Sequence, residues 1–149
     1  MDVLIASDHA ALALKSSLIK GLSEMGHRLE DLGPQDDTSV DYPDYATRLC
    51  QKLTERAGAL GILICGSGIG MSIAANKHKG IRAALVCNTE MARLAKAHNN
   101  ANVLCLGARG ADPALALDMV QTWLVTHFEG GRHARRVDKL SQLDQRSTP

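Results

Sequence analysis

The sequence contains few aromatic residues: one tryptophan, two tyrosines and one phenylalanine among 149 residues. Aliphatic side chains must therefore fill the core, and a hydrophobic content of 45% is sufficient for a compact fold. The net charge is +1, and a protein that binds nucleic acid or a membrane over a broad surface usually carries a large excess of positive charge. We therefore expect neither of these partners.

Long apolar runs are also missing, since no stretch approaches the roughly 20 residues of a membrane span. The apolar residues 3–7 are followed at once by Asp8 and His9, unlike the apolar region of a signal peptide. We therefore expect a cytoplasmic protein that forms a single domain over residues 1–149.

The four cysteines are Cys50, Cys65, Cys87 and Cys105. They form no C-x-x-C pair, which excludes the zinc-ribbon and thioredoxin interpretations. In a reducing compartment they are expected to be free thiols. For Cys50, Cys87 and Cys105 we favour the role of small buried hydrophobic residues.

Short apolar runs alternate with helical patterns along the chain, which predicts a doubly wound α/β domain with a five-stranded parallel sheet. The predicted strands are Val3–Ser7, Arg28–Leu32, Leu60–Cys65, Arg82–Cys87 and Val103–Leu106. The predicted helices are Ala10–Met25, Tyr45–Arg56, Met71–Lys77, Met91–His98, Pro113–His127 and a C-terminal helix His133–Gln145, with residues 33–44 forming a loop. We predict the strand order 2-1-3-4-5, which places the ligand site at the carboxyl ends of strands 1 and 3.

The segment Cys65-Gly66-Ser67-Gly68-Ile69-Gly70 follows the third predicted strand. Alternate glycines let the backbone approach a ligand closely, and unpaired amides at a helix N-terminus attract anionic oxygen. The segment is neither a dinucleotide fingerprint, because Met71 occupies the position of the third glycine, nor a Walker A loop. The positive helix end favours a Cys65 thiolate, which could be a nucleophile or a general base; the alternative interpretation is that Cys65 is the last buried residue of its strand.

Two further groups of residues suggest chemistry. His98, which precedes Asn99 at the end of a predicted helix, suits a general acid or base, or else stabilises that helix end. Arg132 and Arg136 stand four residues apart on one helical face and suit a phosphate dianion; a solvated basic helix and a small nucleic-acid patch are the alternatives.

An acidic loop contains Asp36, Asp37, Asp41 and Asp44. These carboxylates have no histidine or cysteine companions at ligand spacing, so we predict a solvated loop and no metal site.

Several short pieces taken together resemble the type B ribose-5-phosphate isomerases and their galactose-6-phosphate and allose-6-phosphate isomerase relatives. The pieces are Ser7-Asp8-His9, Asp41-Tyr42-Pro43, Ile64 to Gly70, Ala74 to Lys77, Gly80-Ile81-Arg82, His98-Asn99, Asn102-Val103-Leu104 and Glu129 to His133. These pieces occur along the chain in the same order as in the family, and the resemblance extends to about Val137. It implies a Rossmann-like αβα sandwich and an enzyme that interconverts ribose 5-phosphate and ribulose 5-phosphate through an enediolate, with the isomerisation of allose 6-phosphate or galactose 6-phosphate on the same scaffold as the alternative. It also implies no metal, no organic cofactor, and a homodimer or dimer of dimers whose active sites are shared between subunits.

The same resemblance implies a role for each matching residue. Cys65 resembles the base, Ser67 the neighbouring hydroxyl and His98 the ring-opening residue, with Asp8 assisting. His9, Arg132 and Arg136 fit the phosphate contacts, with His133 and Arg109 as additions and Arg109 supplied by the partner subunit. The sugar contacts correspond to Tyr42, Asn99 and the amides of Gly66, Gly68, Ile69 and Gly70.

The chain departs from the family pattern near the sugar pocket, where Ala10-Ala11-Leu12 stands in place of the glycine and aromatic residue that relatives often carry.

Two other classes of function compete with the isomerase. A non-catalytic nucleotide-binding module would use the same fold, but the nucleotide fingerprints are missing. A thiol redox sensor would use Cys65 and would need a second, resolving cysteine beside it.

Overall fold

A computed structural model describes residues 1–144 of the chain, so Gln145, the predicted end of the last helix, lies outside the described residues. The strands are β1 (Asp2–Ser7), β2 (Arg28–Asp31), β3 (Leu60–Cys65), β4 (Ala83–Leu85) and β5 (Val103–Gly107). The helices are α1 (Leu12–Glu24), α2 (Tyr42–Thr54), α3 (Ile69–Ala75), α4 (Thr89–Ala97), α5 (Pro113–Val125) and α6 (Arg132–Leu143), and a 3-10 turn (His9–Ala11) precedes α1.

The five strands form one parallel sheet in the order β2-β1-β3-β5-β4. The predicted α/β class and five-stranded parallel sheet are confirmed, but the order of the last two strands is wrong because β5 lies between β3 and β4. The reason is burial: Val103 to Leu106 are fully buried and need a neighbour on each side, whereas β4 has three half-buried residues and forms the edge.

The edge strand β4 is protected by a side chain. The Asn76 amide donates to the Ala83 carbonyl oxygen at 2.9 Å and accepts from the Ala83 amide at 2.9 Å, as a neighbouring strand would. Such capping blocks the pairing of an edge with another chain.

The core is divided between the two faces of the sheet, because successive side chains of a strand point to opposite faces. Val3 and Ile5 belong to one cluster with Trp123, whose indole N–H donates to the Ala101 carbonyl. Leu4 belongs to the other cluster, which contains Cys50 and Cys105. Burial on both faces is the expected environment of a parallel sheet.

Five helices start one to three residues from their predicted positions, and the shifts of two of them, α2 and α3, concern the site. Helix α2 begins at Tyr42, inside the predicted loop 33–44, because Pro43 occupies its first turn, where no amide donor is needed. Helix α3 begins at Ile69 rather than Met71, so the glycine loop leads directly into it. Across residues 1–144, none of the helices has both the length and the apolar composition that crossing a bilayer requires.

Candidate active site

The first half of the site lies at the carboxyl edge of the sheet, where β3 ends at Cys65. The side chain is 5% exposed, and its Sγ accepts a hydrogen bond from the Gly68 amide at 3.1 Å. The sulfur is therefore held against the start of the glycine loop, with a backbone donor aimed at it.

The loop packs against the end of β5 at Gly68, where a side chain has no space. Gly68 has a positive φ of 77°, and a Cβ there would lie 2.8 Å from the Leu106 carbonyl carbon. The Ile69 amide donates to Ser67 Oγ at 3.2 Å. Within residues 1–144 the amides of Ser67 and Gly70 have no protein acceptor, so they are available to anionic oxygen.

The end of β1 brings more polar residues to this edge. The Asp8 amide donates to the Ile64 carbonyl at 3.0 Å, which places Asp8 beside Cys65 in the sheet, and its carboxylate accepts from the Ala10 amide. His9 Nδ1 accepts from the Val40 amide at 3.1 Å, so Nε2 carries the hydrogen of the neutral ring.

Tyr42 and Arg109 flank the glycine loop. The Tyr42 ring packs against Gly70, where a Cβ would lie 2.6 Å from Cζ, and Arg109 Nε would lie 3.1 Å from a Cβ on Gly66. A cavity of about 530 Å³ opens on the Arg109 side, lined in part by Gly66, Ser67, Leu85 and Met119. The geometry therefore puts Arg109 beside the loop of its own chain, whereas its contribution from a partner subunit stays a prediction.

The second half of the site lies at the amino edge of the sheet. His98 caps the C-terminus of α4, and its ring stacks on that of His133 with centroids 4.0 Å apart and an angle of 9° between the planes. Arg132 and Arg136 are exposed and follow on α6, and Asn99 is exposed beside His98.

Glu129 and Arg82, to which the sequence analysis assigned no role, contact the residues of this second half. Glu129 Oε2 lies 3.5 Å from His98 Nε2 and 3.7 Å from His133 Nε2. Arg82 donates to the Asn99 carbonyl at 3.2 Å and to the Asn100 carbonyl at 2.9 and 3.1 Å, which fixes the turn after His98. Both residues occur in the resembling pieces, but nothing in their spacing indicates these contacts.

The two halves are far apart within one chain. Cys65 pairs with Gly107 at one end of the β3–β5 ladder, and Gly61 pairs with Val103 at the other. Four residues of strand separate these levels by roughly 13 Å, and His98 lies beyond the Val103 end. One chain therefore brings Cys65, Ser67, Asp8, His9 and Tyr42 together, but not with His98, Asn99, His133, Arg132 and Arg136.

The remaining thiols differ in environment. Burial raises the pKa of Cys50 to about 12, and burial together with the nearby thiols Cys50 and Cys65 raises the pKa of Cys105 above its ordinary range. These two match the predicted role of buried hydrophobic residues. Cys87 does not, because it is exposed, with Sγ 3.7 Å from Met91 Sδ.

Comparison with known proteins identifies relatives over nearly the whole chain. Residues 3–140 match the family model described as Ribose/Galactose Isomerase. The probable ribose-5-phosphate isomerase B of Mycoplasma pneumoniae is 49% identical over 139 residues, which is 93% of this chain and 91% of that protein.

Solved structures of ribose-5-phosphate isomerases are also similar to this chain. A ribose 5-phosphate isomerase from Thermotoga maritima has a TM-score of 0.92 at 49% identity and covers 95% of this chain and 97% of its own. The ribose-5-phosphate isomerase B of Mycoplasma genitalium, solved with bound ribulose-5-phosphate, has a TM-score of 0.93 at 43% identity, covering 99% and 97%.

The fold, the glycine loop and these relatives define an intramolecular oxidoreductase, an enzyme that isomerises sugar phosphates. The chain belongs to the ribose/galactose isomerase family.

Proposed function

We propose that this enzyme interconverts D-ribose 5-phosphate and D-ribulose 5-phosphate, with Cys65 as the base. The main support is the position of the Cys65 sulfur, which lies at the carboxyl edge with the Gly68 amide 3.1 Å away and unpaired loop amides beyond it. The choice of a pentose phosphate follows the Mycoplasma genitalium relative, whose structure holds ribulose-5-phosphate.

The chemistry needs no external oxidant or reductant. His98 moves the proton that opens the furanose ring, and Asp8 assists. The Cys65 thiolate takes the C2 proton, the C–H electron pair forms the C1–C2 double bond, and negative charge develops on O1. A proton passes from O2 to O1 by way of Ser67, and the Cys65 thiol returns its proton to C1.

The developing negative charge is stabilised by the amides of the loop Gly66 to Gly70, as in an oxyanion hole. Each such donor is worth about 2.7–4 kcal/mol of barrier in well-studied enzymes. His9, Arg132 and Arg136 bind the phosphate, because guanidinium groups match its oxygens in two-pronged fashion. His133 and Arg109 support that contact, while Asn99 and Tyr42 bind sugar hydroxyls.

Because the two halves of the site lie at opposite edges of one sheet, we infer that each complete site combines two chains in a homodimer or a dimer of dimers. The carboxyl edge of one chain supplies Cys65 and the glycine loop, and the amino edge of the other supplies His98 and the arginines. Exposed Ile69 and Ile73, one turn apart on α3, offer an apolar face next to Cys65 for this contact. A cytoplasmic location and a single domain over residues 1–149 stay predictions.

The test is steady-state turnover of ribose 5-phosphate, allose 6-phosphate and galactose 6-phosphate by the purified protein. Wild type should prefer ribose 5-phosphate, and Cys65→Ala should lose turnover while its circular dichroism spectrum stays unchanged. Cys87→Ser, which changes an exposed thiol at the same edge, is the matched control and should retain activity. Preference for a hexose phosphate would overturn the substrate assignment, and substantial turnover by Cys65→Ala would remove Cys65 from its role.

A further inference from the structure

The amino edge contains a cluster of metal-binding side chains that the isomerase chemistry does not require as a group. His98, Glu129 and His133 each present one ligand atom, and these atoms all lie within 4.8 Å of one another. Within residues 1–144 no second group of three such side chains is found. The sequence prediction of no metal rested on the acidic loop and on the family resemblance, and it did not weigh these three residues together because they are separated along the chain.

The backbone holds the three residues in place. The Glu129 amide donates to the Ala97 carbonyl at 3.0 Å, which ties the segment before α6 to the end of α4. The His133 amide donates to the Gly130 carbonyl at 2.9 Å, and the His133 side chain is only 9% exposed. The fold therefore fixes the backbone positions of the cluster, while the Glu129 side chain is about half exposed.

The donor set suits a borderline metal ion. Two imidazole nitrogens and a carboxylate are the ligands of many zinc sites and also bind cobalt and nickel. A tetrahedral zinc ion with bonds near 2.0–2.1 Å separates its ligand atoms by roughly 3.3 Å. The two nitrogen–oxygen distances to Glu129, 3.5 and 3.7 Å, exceed that value by only a few tenths of an ångström and are too long for good hydrogen bonds.

We propose that His98, Glu129 and His133 form a binding site for a divalent transition-metal ion of the zinc class. Three protein ligands leave at least one coordination position for water or another ligand.

Two features limit the affinity. The rings are stacked nearly parallel, so one must turn before both lone pairs meet at one ion; His98 is one-third exposed and has room to do so. The positive charges of Arg93, 3.9 Å from Glu129, and of Arg132 and Arg136 repel a cation. We therefore expect dissociation constants on the order of micromolar and not the much tighter binding of closed structural zinc sites.

A bound ion would inhibit the isomerase, and this consequence rests on the proposed function. It would occupy the nitrogen with which His98 moves the ring proton, and it would place positive charge and bulk beside the phosphate contacts Arg132 and Arg136.

The experiment titrates the chelator-treated full chain with Co²⁺ and Zn²⁺ in a Cys87→Ser background, which removes the exposed thiol as a competitor. Calorimetry gives stoichiometry and affinity, and the Co²⁺ spectrum separates nitrogen and oxygen ligation from the intense charge-transfer band of a thiolate. We expect one ion per chain without a thiolate band. Glu129→Gln should weaken binding about tenfold or more. Glu90→Gln, which alters a carboxylate on neighbouring α4 outside the cluster, should bind as tightly as its parent.

The proposal is overturned if no ion binds at millimolar concentration, if Glu129→Gln binds as tightly as Glu90→Gln, or if the cobalt spectrum shows thiolate ligation. Binding accompanied by loss of ribose 5-phosphate turnover supports the metal site and the placement of this cluster in the active site. Binding with unchanged turnover supports the metal site and contradicts His98 as the ring-opening group, so the two ideas fail separately.

Discussion

Mixing two variants that are each inactive should restore isomerase activity if every site combines two chains. Cys65→Ala removes the sulfur at the carboxyl edge, and His98→Asn removes the imidazole at the amino edge. Along the sheet these edges are separated by roughly 13 Å, which is beyond the reach of any side-chain rotation. Neither homodimer then contains a complete site.

The expected recovery follows from symmetry. A mixed dimer holds one site with both native residues and one site with both substitutions. Random exchange makes about half of the dimers mixed, so the mixture should regain about a quarter of the wild-type turnover per chain. Purification of mixed dimers through two different affinity tags should raise this to about half.

The assay is steady-state turnover of ribose 5-phosphate after the two variants are co-expressed or refolded together, with the separate activities of the variants subtracted. The matched control mixes Cys65→Ala with Cys65→Ser, both altered at the same edge, and should show no recovery. If the test mixture were no more active than the sum of its parts, while mixed dimers were demonstrably present, the two-chain site would be refuted.

Three further perturbations test other parts of the structure. Gly68→Ala should lower the free energy of unfolding in urea by about 2–4 kcal/mol, because a positive φ and contact with β5 combine, whereas Gly58→Ala, with a similar φ of 79° but open space around it, should cost only about 1 kcal/mol. Cys50 has an ordinary pKa of 9.0 that burial raises to about 12, so its effect on stability is absent below pH 9. Above that pH the unfolded chain ionises first, so Cys50 should contribute a fall of about 1.4 kcal/mol per pH unit in the free energy of unfolding, in addition to any contribution of Cys105, and Cys50→Ala should reduce the decline in thermal melts. Arg82→Lys keeps the charge but loses the two-pronged contact with the turn after His98, so ribose 5-phosphate turnover should fall while alkylation of Cys65 proceeds at the wild-type rate; equal loss of both would indicate general unfolding.

The helices and strands that were predictable from the sequence are those for which the apolar pattern and the residues at the ends indicate the same bounds. The strand Leu60–Cys65 has the predicted bounds because a continuous apolar run ends at a glycine loop, and α5 begins at the predicted Pro113. The order of β4 and β5 was not predictable in this way. It depends on which strand gains more from burial between two neighbours, and an apolar pattern three residues long is too weak to decide that.

The contacts at the amino edge could not be predicted from the sequence. The stacking of His98 on His133 and the position of Glu129 near both nitrogens arise because the segment before α6 is bonded to the end of α4 through the Glu129 amide, a long-range contact that no local pattern records. The separation of His98 from Cys65, in contrast, follows from chain direction alone. In alternating strands and helices, a residue that ends a strand lies at the carboxyl edge, and a residue that ends the following helix lies at the amino edge. A reaction that needs both Cys65 and His98 on one sugar therefore requires the opposite edge to come from another chain.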